Sequence, residues 1–263
     1  MRKNFYVLDS ITNMHVGSGD LNYNIIDNQI QRDQITSLPT INGSSLKGAL
    51  RHHFENNKNV NDYVKEIFGD EDLGKGKYRF FEANLLTMPV RSNIRSYFNA
   101  TSISIIEELI RYFQNFKINE ALMTDLKALL EVVQKTNLPC LVNCTSNEKV
   151  IVENYGVNSI EFTMTEDLVK LFDDELVIFD DTSFKRIAQK LPVLARNRLG
   201  ENKNLWYEEI VPKKSKFYTL ILNEEKKISD FENSLVEQVI QIGGNATIGY
   251  GYTRFNLIGD YDE

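Results

Sequence analysis

Cysteine is almost absent: Cys140 and Cys144 are the two in 263 residues. That excludes a disulfide framework and a four-cysteine zinc site, and points to two free thiols in a reducing compartment. No run approaches the ~18 apolar residues that a bilayer span needs. Asp9 interrupts the opening Phe5-Tyr6-Val7-Leu8, where a secretory segment would stay apolar. A cytoplasmic protein with no membrane partner is expected. Histidine is scarce as well (His15, His52 and His53), so neither a His-rich metal motif nor a trusted Ser-His-Asp spacing is present. Positive charge is also short, with a formal net charge of -7. Any nucleic-acid binding must therefore rest on local clusters of Lys and Arg rather than on bulk charge.

What is present is ordinary for a folded chain: 42% hydrophobic and 25% charged residues. Residues 4–12 carry apolar side chains on both faces and read as a strand buried on both sides. His15-Val16-Gly17-Ser18-Gly19 then makes a turn, followed by a polar loop over 21–34. Ser44 is a candidate N-cap for a helix burying Leu46, Ala49, Leu50, His53 and Phe54. Lys47 and Arg51, at i and i+4, can reach one anionic partner, and Gly48 between them suggests another backbone close by. Residues 80–100 form a mixed stretch with no assigned element. The capping-box pattern Ser104 to Glu107 opens a helix, and residues 121–135 form another. Residues 150–163 read as extended, and 166–172 and 184–190 as short helices. Residues 217–223 form a strand. A second capping box at Ser229 leads Phe231, Leu235, Val236, Val239 and Ile240 along a helix, and 252–258 form a last strand. The β-α-β ending, with the strand, loop and helix at the start, predicts an α+β ferredoxin-like sandwich in one domain over 1–263, with insertions mainly at about 55–210.

Two glycine-rich loops invite nucleotide readings, and both fail. Lys47 is followed by Gly48 rather than Ser or Thr, which excludes a Walker loop. The run from Gly243 to Gly251 follows its helix, where a dinucleotide-binding loop would precede one. Close approach to a polyanion backbone fits better. Arg32, Lys47, Arg51, Arg91, Arg95, Arg196 and Arg198 supply the cations, and Tyr23, Tyr97, Trp206 and Tyr207 could stack on bases. His52 and His53 point about 100° apart on a helix and make poor joint ligands. His15 either fixes its turn by hydrogen bonds or takes part in chemistry. Asp20, Asp27 and Asp33 crowd the polar loop, where one could hold a divalent cation or accept a proton.

Three runs carry a resemblance: His15-Val16-Gly17-Ser18-Gly19, Ile26 to Asp33, and Leu38 to Arg51. They resemble the RAMP superfamily of CRISPR-associated proteins. Within it, Ile30-Gln31-Arg32-Asp33, Leu205 to Glu209 and Gln241 to Gly249 are similar to the backbone subunit of the Cmr (type III-B) effector complex. The resemblance implies an RNA-recognition-motif-like core with helical insertions. It also implies copies stacked as a filament along a guide CRISPR RNA beside other Cmr subunits. A thumb hairpin near 196–209 would flip target nucleotides, with metal-dependent cleavage beside each one. It maps the catalytic aspartate to Asp27, with Asp20 in the same loop as the alternative, and sets His15, Tyr207 and Glu208 close to that site. Asp27 would hold the metal, Mg2+ or Mn2+. RNA contacts would come from Gly17, Ser18, Arg32, Ser44, Ser45, Lys47 and Arg51, from Arg196, Arg198 and Trp206, and from Gly243, Gly244, Asn245, Thr247 and Gly249. The expected activity is an RNA-guided endoribonuclease leaving a 2′,3′-cyclic phosphate and a 5′-hydroxyl. Departures from the family pattern are Gln29 and Asn42 for proline, Asp33 for Glu and Ser37 for Gly, none of which removes a catalytic group. Two alternatives compete: a catalytically silent RNA-binding scaffold, Csm-type or capping, and a metal-independent guide-processing ribonuclease using His15.

Overall fold

The computed structural model describes residues 1–19, 26–55, 63–72, 74–144, 146, 148–198, 204–223 and 229–261. Asp20, Tyr23 and residues 199–203 lie outside them. The chain opens with β1 (Arg2–Ser10), β2 (Thr40–Ile41), α1 (Gly43–Glu55), α2 (Val64–Phe68), β3 (Gly69–Asp70) and β4 (Gly74–Lys75). Then come β5 (Tyr78–Phe80), β6 (Ala83–Val90), β7 (Phe98–Ser102), α3 (Ile103–Phe116) and α4 (Glu120–Gln134). Short strands β8 (Cys140–Val142), β9 (Ile151–Val152), β10 (Tyr155–Gly156) and β11 (Asn158–Ile160) precede α5 (Glu166–Phe172), β12 (Leu176–Phe179) and α6 (Asp181–Ala188). The last part holds β13 (Val193–Arg198), β14 (Asn204–Glu209), β15 (Lys216–Asn223), α7 (Ser229–Glu237), β16 (Val239–Gln241) and β17 (Tyr252–Tyr261).

The expected ferredoxin-like core is present. β1 lies between β15 and β17, antiparallel to both, and β5 and β6 add to the far edge of β15. With α1 and α7 as the two crossovers, this is the βαββαβ order. Its sheet continues through β6 into β7, β12, β8 and β11, so core and insertion share one eleven-stranded sheet. The β6 strand serves both halves: Asn84, Leu85 and Thr87 pair with β15, whereas Met88, Pro89 and Val90 pair with β7.

Helices cover both faces, which explains why β1 and β15 carry no apolar–polar alternation. All eight residues of β15 are buried. On one face α1 and α7 meet at Phe54 and Phe231, whose ring centroids are 5.0 Å apart, with Phe68 and Tyr78 packed against Phe231. On the other face Phe5 packs edge-to-face on Phe113 of α3 at 4.8 Å and stacks on Tyr218. Both thiols are free and buried, and burial pushes Cys140 up to about 12.

Several expectations are corrected. α1 begins at Gly43, one residue before the expected cap Ser44, because Asn42 O already accepts from Leu46 N–H and Asn42 N–H donates to Gln31 Oε1. Among the described residues of this chain nothing stands within 4 Å of a Cβ placed on Gly48. α3 starts at Ile103, and Ser104 N–H donates to Asp181 Oδ1 from α6 instead of capping the helix itself. Residues 80–100, a mixed stretch without clear periodicity, supply the central hairpin of β6 and β7. α7 stops at Glu237, so Val239 and Ile240 belong to β16, an edge strand on β17, as suits β-branched residues. The helix expected over 184–190 begins at Asp181, capped by Asp180 Oδ1 accepting from Ser183 N–H.

Candidate active site

The β13–β14 hairpin leaves the insertion and returns to the core beside the His15 turn. Its second strand is zipped to the polar loop: Asn28 N–H donates to Tyr207 O, and Glu209 N–H donates to Asn28 O. At the mouth of this ladder Tyr207 N–H donates to Asp27 Oδ2 at 2.7 Å. The Asp27 side chain is exposed, and no hydrogen bond to its Oδ1 occurs among the described residues.

Behind Asp27 lies a buried cluster. His15 Nδ1 is 2.7 Å from Glu209 O, and since a carbonyl only accepts, Nδ1 carries the proton. Nε2 then faces Glu208 Oε1 at 3.8 Å. Glu208 is further held by Asn245 Nδ2 at 2.8 Å and Arg196 Nε at 3.1 Å, and the Arg196 guanidinium lies 4.8 Å over the Tyr250 ring. Glu209 is equally committed. Its carboxylate takes Arg32 Nη2 at 2.5 Å and Ile30 N–H at 3.2 Å. Arg32 also donates to Ser37 O and Ala188 O. Next to it, burial raises the Asp33 carboxyl, but donors from Thr36 and Ile35 outweigh that and hold it below the usual carboxylate range.

The C-terminal glycine loop closes the back of the cluster. Gly244 N–H donates to His15 O at 2.8 Å. Gly243, at φ +89°, leaves no room for a side chain, since a Cβ would stand 2.3 Å from His15 O. Here glycine serves approach of protein backbone to protein backbone, where the sequence suggested approach to a polyanion. Thr247 and Ile248 in the same loop are exposed, and Gly249 has open space around it. On the other side Gln31 joins the His15 turn to α1. Its Nε2 donates to Gly17 O and Ser45 Oγ, and its Oε1 accepts from Asn42 N–H. Ser18, Gln31, Arg32 and Asn42 line a shallow cleft of about 240 Å³ there, beside the exposed Ser44.

His15, Asp27, Tyr207, Glu208, Arg32, Arg196, Asn245, Gly243 and Gly244 thus come together, with Gly17, Ser18 and Ser45 adjoining. Lys47 and Arg51 lie further along α1. Arg51 is tied to Glu55 and to Gly69 O, whereas Lys47 forms neither hydrogen bond nor ion pair among the described residues. Arg91 and Arg95, away from this cluster, pair with Glu153 and Glu175. Most cations expected to face a polyanion are therefore matched by carboxylates of the chain itself. Trp206 is half-buried, and its backbone pairs with that of Arg196 across the hairpin. The Arg198 side chain and Asp20 lie outside what is described. Two residues escaped the sequence reading, Glu209 and Gln31. Both appear in quoted motifs, but the partners of Glu209 lie up to 194 residues away, so only the fold reveals its role.

A family model described as the RAMP superfamily matches residues 7–254, and the chain belongs to that superfamily. Within it, the chain is 28% identical to the CRISPR system Cmr endoribonuclease Cmr4 of Pyrococcus furiosus, covering 95% of this chain and 94% of that one. It is 23% identical to the CRISPR system CMR subunit Cmr4 of Saccharolobus solfataricus, covering 97% and 96%. The fold matches a chain of the type III-B Cmr-beta complex bound to cognate target RNA, with TM-score 0.79, 21% identity and 97% of both chains covered. It also matches crystalline oligomeric Cmr4 from Pyrococcus furiosus, with TM-score 0.71, 22% identity and 100% of both chains covered.

Proposed function

We propose that this chain is the backbone subunit of a type III-B CRISPR effector complex, an endoribonuclease that holds guide RNA and cuts complementary target RNA at regular intervals. Copies stack along the guide with other Cmr subunits, in the cytoplasm. The observation that carries this reading is the Tyr207 N–H to Asp27 Oδ2 hydrogen bond. It fastens an exposed carboxylate to the hairpin that would splay the target. Whole-length similarity to Cmr4 chains gives independent support.

The chemistry follows from what each group has left to offer. A target nucleotide turned out by the hairpin can bring its 2′-oxygen in line with the scissile phosphate. Asp27 takes the 2′-hydroxyl proton; the O2′–P bond forms and the P–O5′ bond breaks. A His15 ring carrying a second proton, on Nε2, gives that proton to the departing 5′ oxygen and is left neutral with its Nδ1 proton, and the products are a 2′,3′-cyclic phosphate and a 5′-hydroxyl. Glu208 and Tyr207 act by position: Glu208 lies beside the His15 ring, and Tyr207 orients Asp27 through its amide. Lys47 contacts RNA phosphate, and the exposed loop around Thr247 and Gly249 adds backbone contacts.

Among the described residues no group of three His, Cys, Asp or Glu side chains could hold a metal ion. A hard cation such as Mg2+ needs only one or two carboxylates when phosphate and water complete its shell, and Asp27 supplies one. Bound there, Mg2+ or Mn2+ would offset charge on the phosphate.

The test is cleavage of labelled target RNA by the reconstituted complex with Mg2+, wild type beside Asp27→Ala. Evenly spaced fragments with cyclic phosphate ends are expected, falling at least ~100-fold in the variant while target binding persists. Fragments that survive the substitution, or that end in 3′-hydroxyls, would sink the mechanism. One observation favours the silent scaffold: Glu208 and Glu209 are already saturated by the chain's own donors. Tight target binding without cleavage in the wild type would establish that reading.

A further inference from the structure

A groove of about 810 Å³ opens at the root of the β13–β14 hairpin, on the side of the insertion. Its floor is apolar, with Met88 and Val90 of β6 and Leu191 buried there. Its walls carry two half-buried rings, Tyr97 just before β7 and Tyr155 of β10. Its rim carries the exposed side chains of Arg186, in α6, and Lys190, just beyond it. The end of α6 joins this groove to the Asp27 site: Arg32 donates to Ala188 O on the site's side, whereas Arg186, Ile187 and Lys190 line the groove. The hairpin root makes a second link. Pro192 O accepts from Ile210 N–H, and Val211 pairs with Met14, the residue before His15. Pro192 and Pro212, which flank the hairpin, both line the groove.

The charges there are unevenly met. Among the described residues Glu153 is the one carboxylate lining the groove, and Arg91 holds both its oxygens, with Nη2 2.9 Å from Oε2 and Nε 3.1 Å from Oε1. Arg32, Arg95 and Arg196 are likewise matched by carboxylates. The side chains of Arg186 and Lys190 form neither a hydrogen bond nor an ion pair among the described residues. Lys213 and Lys214, which follow Pro212, are exposed and equally unmatched. In a chain of net charge -7 this is a local reversal of sign, and it stands beside two accessible aromatic rings.

We infer that this groove holds a short unpaired stretch of RNA, its bases against Tyr97 and Tyr155 and its phosphates along Arg186 and Lys190. Aromatic platforms flanked by cations suit a single strand, which offers both free ring faces and a charged backbone. In a duplex the bases stack on one another and no ring face is left for the tyrosines. A bare anion would leave the rings uncovered, and an uncharged peptide would leave Arg186 and Lys190 unmet. Contacts to ring faces and phosphates do not distinguish one base from another, so the groove accepts any sequence. The inference rests on the RNA-binding reading above, under which guide and target both pass the hairpin, and either strand can be the occupant.

The test measures binding of a labelled, unstructured single strand of mixed sequence to the full chain across a salt series. Wild type is set beside Arg186→Ala/Lys190→Ala, Tyr97→Ala and Tyr97→Phe, with thermal melting to check the fold. The double variant should bind about tenfold more weakly, and its salt slope of log K should fall by about 1.4, at about 0.7 for each phosphate contact on a single strand. Tyr97→Ala should also bind about tenfold more weakly but with the slope unchanged, and Tyr97→Phe, which keeps the ring, should bind as wild type does. In the reconstituted complex, 4-thiouridine placed in the guide or in the target separates the sources, because the strand that crosslinks to residues 88–97 or 186–192 is the occupant. Variants that match wild type in affinity and slope overturn the proposal and leave the RNA reading intact. Variants that keep full RNA binding but shed a protein subunit from the complex overturn it in favour of a protein-docking groove. A wild-type chain that binds no RNA overturns both readings.

Discussion

Glu208 and Glu209 on one side, and Asp27 on the other, flank the same short ladder between β14 and the 27–30 loop, and they differ in every physical respect. The two glutamates are buried and each accepts several donors, from Arg196 and Asn245 and from Arg32 and Ile30. Asp27 is exposed and accepts from one donor among the described residues, a main-chain amide. A group whose lone pairs are spent on the fold shapes a site. A group with an uncommitted oxygen can act on a ligand. By this measure the adjacent glutamates are the frame, and the lone loop aspartate is the reactive member.

Breaking the frame should have the larger effect on folding. Glu209→Ala strands the Arg32 guanidinium in a half-buried setting and frees Ile30 N–H, so about 3 kcal/mol of stability should be lost. A urea titration reads this as a lower midpoint, with Glu209→Gln losing less because it keeps an acceptor. Asp27→Ala, by contrast, should leave the stability within ~0.5 kcal/mol of wild type while abolishing cleavage. Equal losses of stability in the two variants would erase the distinction between frame and reactive group.

Gly243→Ala comes next in size. The positive φ and the crowding by His15 O should together cost about 2 kcal/mol and displace His15, lowering the melting temperature and the cleavage rate together. The smallest effects sharpen the same contrast among cations. Lys47→Ala should weaken RNA binding and lower the salt slope of log K by about 1, with no change in melting. Arg51→Ala, whose charge is already met by Glu55, should leave the slope unchanged and cost about 0.5 kcal/mol. Filter binding across a salt series distinguishes the two, and identical slopes would mean that internal pairing does not predict which cations are available.

How far the sequence could be read follows the range of the interactions. β1 and β15 are legible because their burial is nearly uniform, and α4, α5 and β17 because their buried residues recur at a local period. The start of α3 is not, since Ser104 N–H is satisfied by Asp181, 77 residues later. β6 and β7 are hidden because Pro89 interrupts a strand whose partner changes midway along its length. At the site, residue types were legible but commitments were not. Nothing near Arg32 or Arg196 in sequence shows that each is matched by a carboxylate from β14. Pairing over such distances is a property of the folded sheet.

The contact that fastens Asp27 to the hairpin is made by the amide of Tyr207, not by its phenol. An alanine scan along β14 would therefore pass over it, because every variant in the scan keeps the same N–H. Exchanging that amide for an ester by semisynthesis removes the donor while keeping every side chain, at the cost of a weaker acceptor at the Trp206 carbonyl. The side-chain variant Tyr207→Ala would report on the ring alone, and position 207 would look dispensable or essential according to which of its two halves had been altered.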